Sequence, residues 1–151
     1  MSKTNRPLLA SAFICERVLQ EKDEVLSAIR MVDKFFVTIP KNLPSDMNPS
    51  VLLTIILGFK KAALNDTKKH RARLRLQTPS GQPRPLSPSP SKMDFAFPEG
   101  QPASANLIVT INLGVKEFGL FWIDVLLDDE TEPITRIPFT LIERPEPTNV
   151  Q

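Results

Sequence analysis

The sequence predicts an all-β sandwich, and three observations carry that expectation. In the last third of the chain Leu107, Val109, Ile111 and Leu113, and then Phe121, Ile123, Val125 and Leu127, occupy every second position. A sharper alternation sets Arg71, Arg73, Arg75 and Gln77 against Ala72, Leu74, Leu76 and Thr78. Glycine, proline and acidic residues fall where these runs stop. Successive side chains of a strand point to opposite faces, so each run reads as a strand with one buried side, and several such strands bury those sides by stacking two sheets.

Taken in order, Leu8 to Leu19 is an apolar, β-rich segment around Cys15, closed by the polar turn Glu21-Lys22-Asp23-Glu24. Val25 to Ile39 is ambiguous by period. Val18, Val25, Ile29, Val32 and Phe36 fall near helical spacing, whereas Val25, Ser27, Ile29, Met31, Asp33, Phe35 and Val37 alternate imperfectly. The polar turn before it and the β-branched residues at its end favour a strand. Pro40, Pro44 and Pro49 bound a loop. Val51 to Lys60 then resumes as a strand with Leu53, Ile55, Leu57 and Phe59 on one side and Leu52, Thr54, Ile56 and Gly58 on the other. That second side is not polar, so it is either covered or offered to a partner.

After Asn65-Asp66 comes the arginine strand, His70 to Thr78, ending at Thr78-Pro79-Ser80-Gly81, where proline fixes one dihedral and glycine accepts positive φ. From residue 79 to 102 seven of 24 residues are proline. Proline lacks the amide donor a ladder needs, so this insertion reads as a long loop or an edge with polyproline II character. Met93, Phe95 and Phe97 alternate and dock a short strand back onto the core. Ala103 to Leu113, Gly119 to Leu127 and Thr135 to Ile142 close the fold as two adjacent hairpins. Residues 1–143 form one domain, 79–102 are its proline-rich insertion, and 144–151 are a flexible tail.

The order of segments resembles a family of short bacterial proteins defined by a domain of unknown function. The resemblance rests on Ala12-Phe13-Ile14-Cys15-Glu16, on Ser27 to Asp33, on the basic strand with its Thr78-Pro79-Ser80-Gly81 turn, and on Phe118-Gly119-Leu120-Phe121-Trp122-Ile123-Asp124-Val125. It spans about residues 8 to 143. It implies an immunoglobulin-like antiparallel sandwich of about seven to nine strands in the bacterial cytoplasm, with no established activity. The proline-rich segment is longer than usual, and the Gly119 strand carries no tyrosine.

Composition narrows the function. With 151 residues the chain is large enough to bury roughly 70% of its unfolded surface, and 41% hydrophobic with 24% charged residues is ordinary for a globular protein. A net charge of +2 predicts neither bulk nucleic-acid binding nor an acidic partner. Cys15 has no second cysteine to pair with, nothing near Met1 reads as a signal peptide, and the apolar run Val51 to Leu57 is too short to cross a bilayer. A reducing cytoplasm is expected.

One His and one Cys cannot make a tetrahedral zinc site or a nucleophile-and-base pair, so no catalytic residue, metal or cofactor is expected. His70 reads as a solvated strand-end histidine and Cys15 as a small buried hydrophobe. Asp128-Asp129-Glu130 with Glu132 reads as a polar turn, because calcium needs more oxygens than one loop supplies. The expected role is a binding or assembly module whose partner is a protein or a second copy of the chain. Its candidate contact residues are Trp122, Ile108, Leu52 and Ile56, which form an apolar patch if they meet on one outer face. The alternative is an anionic partner such as a nucleic acid, gripped by Arg71, Arg73 and Arg75 with Lys60 nearby. Those arginines are spaced at about 6.6 to 7 Å, close to the phosphate spacing of a strand. The bland reading is a solvated face partly paired with carboxylates on neighbouring strands. Pro85-Leu86-Ser87-Pro88 matches a minimal polyproline ligand, a pattern common in any proline-rich stretch.

Overall fold

A computed structural model describes residues 6–23, 25–63, 65–86, 92–97, 99 and 104–147. Ten strands follow one another: β1 (Leu8–Gln20), β2 (Leu26–Met31), β3 (Lys34–Thr38), β4 (Ser50–Lys60), β5 (Lys69–Gln77), β6 (Pro83–Pro85), β7 (Lys92–Ala96), β8 (Ser104–Gly114), β9 (Gly119–Leu127) and β10 (Thr135–Arg144). They form two sheets. One has the order β2-β1-β4-β8; the other runs β3-β10-β9-β5, with β6 and β7 both paired to the far edge of β5. All pairs are antiparallel except β3 with β10, which is parallel.

The connectivity is that of an immunoglobulin-like sandwich. β1, β4 and β8 make one sheet and β5, β9 and β10 the other, so the chain crosses between β4 and β5, between β7 and β8, and between β8 and β9. The initial segment also divides between the sheets. β1 and β2 form a hairpin in the first, and β3 lies parallel to β10 in the second.

Two sequence expectations change here. Val25 to Ile39 is not one strand: the chain leaves the first sheet after Met31 and enters the second at Lys34. The Val32 amide still donates to Ile14 and the Thr140 amide to Asp33 as it crosses. Ser104–Gly114 and Gly119–Leu127 are strands but not a hairpin, because residues 115–118 cross the sandwich, and Ala103 lies outside the described residues. Of the three closing strands, β9 and β10 alone are hairpin partners. The split and the two pieces within the proline-rich insertion bring the strand count among the described residues to ten rather than seven to nine. The insertion supplies β6 and β7; the rest of the Pro85-Leu86-Ser87-Pro88 pattern, from Ser87, lies outside the described residues. At the other end, Arg144 still belongs to β10 and pairs with Thr38, and the last residues of the tail, 148–151, also lie outside the described residues.

The core is made by the inward halves of the alternations. Leu53, Ile55, Leu57 and Phe59 of β4 are wholly buried against Ile123, Val125 and Leu127 of β9 and Ile137, Phe139 and Leu141 of β10. Phe59 stacks on Phe95 at 4.6 Å between ring centroids, and Phe121 on Phe139 at 5.1 Å; such pairs add about 1 kcal/mol each to their burial. The Thr78-Pro79-Ser80-Gly81 turn forms as expected, with Gly81 at φ 79° and its amide donating to Thr78 at 2.8 Å. That turn is pinned to the β8–β9 crossing by Glu117, whose carboxylate accepts the Ser80 amide at 2.9 Å. The hydrogen bond from that amide is the main reason the Glu117 carboxyl sits below its ordinary range.

Candidate functional site

Because the inward halves are spent on the core, functional chemistry has to be sought on the outer faces, at the strand edges and in the turns. The outer face of the six-stranded sheet carries the arginine stripe. β5 alternates through Arg71, Arg73 and Arg75, and register places Arg75 and Arg136 on either side of Asp124. Asp124 has no exposed surface, yet it lies on the outer side of β9, roofed by its neighbours. Its Oδ2 accepts from Arg75 Nη2 at 2.9 Å and Gln77 Nε2 at 2.8 Å, and its Oδ1 accepts from Arg136 Nε at 2.7 Å. Burial alone pushes the Asp124 carboxyl up, but the hydrogen bonds from Arg136 and Arg75 outweigh it and hold the group below its ordinary range.

The rest of the stripe is also engaged. Arg71 donates through Nε to Asp94 on β7 at 2.6 Å. With help from Lys69, that bond lowers the Asp94 carboxyl to about 2, and the same contact raises Arg71. Arg73 differs from its neighbours: Nη2 donates to the Glu130 carbonyl at 2.6 Å, while among the described residues its buried Nε has no partner. Arg73 and Arg75 line a cleft of about 340 Å³ with Arg84 and Lys92, and no carboxylate lies among the lining residues. Lys60 is not part of the stripe. It belongs to β4 in the other sheet and donates to Ser104 Oγ at 2.9 Å.

Trp122 shares the arginine face. The Arg136 guanidinium lies 4.9 Å from its ring centroid, and Arg144 covers Phe36 in the same way at 4.5 Å. The expectation that Trp122 meets Ile108, Leu52 and Ile56 is therefore corrected, since those three lie on the outer face of the opposite sheet. Ile56 pairs directly with Phe13 on one side and Ile108 on the other. The next row runs Met31, Cys15, Thr54 and Thr110 across all four strands. Met31 is 74% exposed, Leu52 61% and Ile108 44%, whereas Ile56, Thr54 and Cys15 are buried beneath their neighbours. Burial pushes the Cys15 thiol up, away from the reactive thiolate.

His70 is the residue that sequence reasoning misplaced. Instead of facing water it is 4% exposed, with Nδ1 3.0 Å from Asp128 Oδ2 and Nε2 3.0 Å from Asp66 Oδ2. Asp128, at φ 52°, also accepts the Arg71 amide through Oδ1 at 2.8 Å, so the cluster clamps the β9–β10 turn to the start of β5. The i, i+4 spacing of Asp66 and His70 was visible in the sequence; Asp128, 58 positions away, was not.

Among the described residues no group of three or more His, Cys, Asp or Glu side chains is arranged to hold a metal ion, and no helix is long and apolar enough to cross a membrane. Residues 10–142 match the model of a family of unknown function (DUF6941). No curated protein matches the chain. Among solved structures, an immunoglobulin-like protein from Pseudomonas aeruginosa is similar at 10% identity over 93% of this chain and 100% of that one, with a TM-score of 0.35.

Proposed function

The chain belongs to the DUF6941 family, whose function is unknown, and we propose that it is a non-catalytic binding or assembly module of the bacterial cytoplasm. Its contact surface is the outer side of the four-stranded sheet. One observation carries this reading. Met31, Leu52 and Ile108 stand exposed on a single face with Phe13 and Ile56 between them, while on the other face arginines lie over the rings of Trp122 and Phe36. A contiguous, uncapped apolar surface is the usual mark of a protein contact. Two observations support the non-catalytic reading. His70 is held between two carboxylates, and the Cys15 thiol is buried with its proton retained. A single buried thiol also suits a reducing compartment.

Affinity capture with the full chain followed by mass spectrometry tests the reading, using Leu52→Lys and Met31→Lys as surface variants. A stoichiometric protein retained by the wild type and lost from both variants, with the thermal midpoint unchanged, is the expected result. A partner retained equally by both variants contradicts it.

The cleft favours a second reading, an anionic ligand held by Arg73, Arg84 and Lys92. The observation behind it is the buried, unpartnered Nε of Arg73 beside a cationic lining. Arg71 and Arg75 contribute less than the sequence implied, because Asp94 and Asp124 neutralise them. Salt-sensitive retention of an oligonucleotide or polyphosphate that falls in Arg73→Gln and Arg84→Gln supports this reading; retention unchanged by both substitutions rejects it.

A further inference from the structure

Sheet edges differ in how they treat an approaching strand, and three of the four edges here are blunted. β2 is six residues long and contains Arg30 at φ 50°, which distorts it. β3 is five residues long and begins with Lys34. The edge beyond β5 is divided between Pro83–Pro85, with prolines at both ends, and Lys92–Ala96, which opens on lysine. Shortness, charge, proline and irregular backbone are the devices by which sheets avoid pairing with other chains.

β8 has none of them. Its eleven residues, Ser-Ala-Asn-Leu-Ile-Val-Thr-Ile-Asn-Leu-Gly, contain no charge and no proline. They pair with β4 from Lys60↔Ser104 to Ser50↔Gly114 without a register shift. Among the described residues no strand pairs with its other side.

The direction of the free peptide groups follows from one hydrogen bond. The Val115 amide donates to the Pro49 carbonyl at 2.7 Å, continuing the β4 ladder. In an unbroken antiparallel strand the N–H and C=O of one residue point to one side and those of the next to the other. The odd-numbered residues of β8 therefore serve β4, and the N–H and C=O of Asn106, Ile108, Thr110 and Asn112 point outward.

We propose that this edge pairs with β8 of a second copy of the chain, antiparallel about a twofold axis at Val109, joining two four-stranded sheets into one. The proposal deepens the assembly reading above and rests on it. The sequence around Val109 is close to self-complementary. Ile108 falls opposite Thr110 of the second copy, with the outward peptide groups of both in hydrogen-bonding register. Asn106 falls opposite Asn112, and Leu107 opposite Ile111 on the core side. No like charges meet, because the strand has none, and a twofold contact needs such a self-matching patch. Exposed Ile108 lies at this seam, and Leu52 stands on the adjoining strand.

Light scattering on the full chain over a wide concentration range tests the pairing, with Thr110→Pro and Thr110→Lys as variants. The Thr110 amide points away from β4, so proline there removes an intermolecular donor without touching the intrachain ladder. Should the proline variant fail to fold, the lysine variant carries the test alone. The wild type is expected to reach twice the 16.9 kDa chain mass, and Thr110→Lys to remain monomeric with the wild-type circular dichroism spectrum and melting midpoint. A wild type that is monomeric at the highest concentration overturns the proposal, as does a dimer that survives Thr110→Lys. Loss of a different captured protein in Leu52→Lys, with the wild type still monomeric, defeats the edge pairing and leaves the assembly reading standing.

Discussion

The outer faces of the two sheets are built on the same pleat and finished in opposite ways. On the six-stranded side, the row Arg75, Asp124 and Arg136 crosses three strands, Gln77 closes over it, and arginines lie over Trp122 and Phe36. On the four-stranded side the corresponding rows are Phe13, Ile56 and Ile108, and Met31, Cys15, Thr54 and Thr110, which carry no charged side chain. Apart from the Arg73 Nε, the first face pairs its buried polar groups and supports the fold. On the second, Met31, Leu52 and Ile108 stay exposed to solvent. The contrast separates a face made for stability from a face made for contact.

The largest expected effect lies on the satisfied face. Removing one partner of a fully buried ion pair costs about 3–5 kcal/mol. The side chains of Arg75 and Arg136 remain 38% and 42% exposed, so Asp124→Ala is expected to cost about 2 kcal/mol in urea unfolding. Trp122→Ala follows, at roughly 1–2 kcal/mol for lost burial and the Arg136 contact. Trp122 is the chain's single tryptophan, so its emission in Asp124→Asn is expected to move to the red as the roof above Asp124 loosens.

Acid provides a third test. Asp124 and Asp94 have depressed pKa values in the folded state, Asp94 at about 2, so the unfolded chain binds more protons and stability rises with pH through that window. The contribution is complete above about pH 4, the ordinary carboxylate range, and is lost as pH falls toward 2. Asp94→Asn is expected to flatten the acid limb of the stability curve between about pH 4 and pH 2, and Asp124→Asn to flatten it in the same direction. The smallest effect belongs to the other face. Leu52→Lys should change stability by no more than about 0.5 kcal/mol while removing the bound partner, and a large loss of stability there would erase the distinction between the faces.

Much of the fold was legible because period two is a local signal. Alternation gives Gly119 to Leu127 its observed bounds and the arginine strand its bounds within a residue, while Thr135 to Ile142 starts correctly and stops two residues short. What stayed hidden depends on which sheet a strand joins. Leu52, Ile56 and Ile108 were correctly grouped, since adjacent strands carry them. Trp122 was grouped with them wrongly, because alternation assigns a side chain to a face of its own strand and not to a layer of the sandwich. The break at Val32-Asp33 was obscured for the same reason: both halves alternate, and only the change of sheet separates them. Asp124 looked like a polar interruption of β9 until register set Arg75 and Arg136 beside it, and His70 looked exposed because Asp128 reaches it from the far end of β9.

The most direct test of contact through the four-stranded sheet is amide hydrogen exchange, comparing the assembled protein with the dissociated one. Protection is expected to increase in β4 and β8, most strongly at the outward amides of Ile108 and Thr110, with β5 and β9 unchanged. Protection gained in β5 and β9 instead, with β8 exchanging at the same rate in both states, would contradict the account.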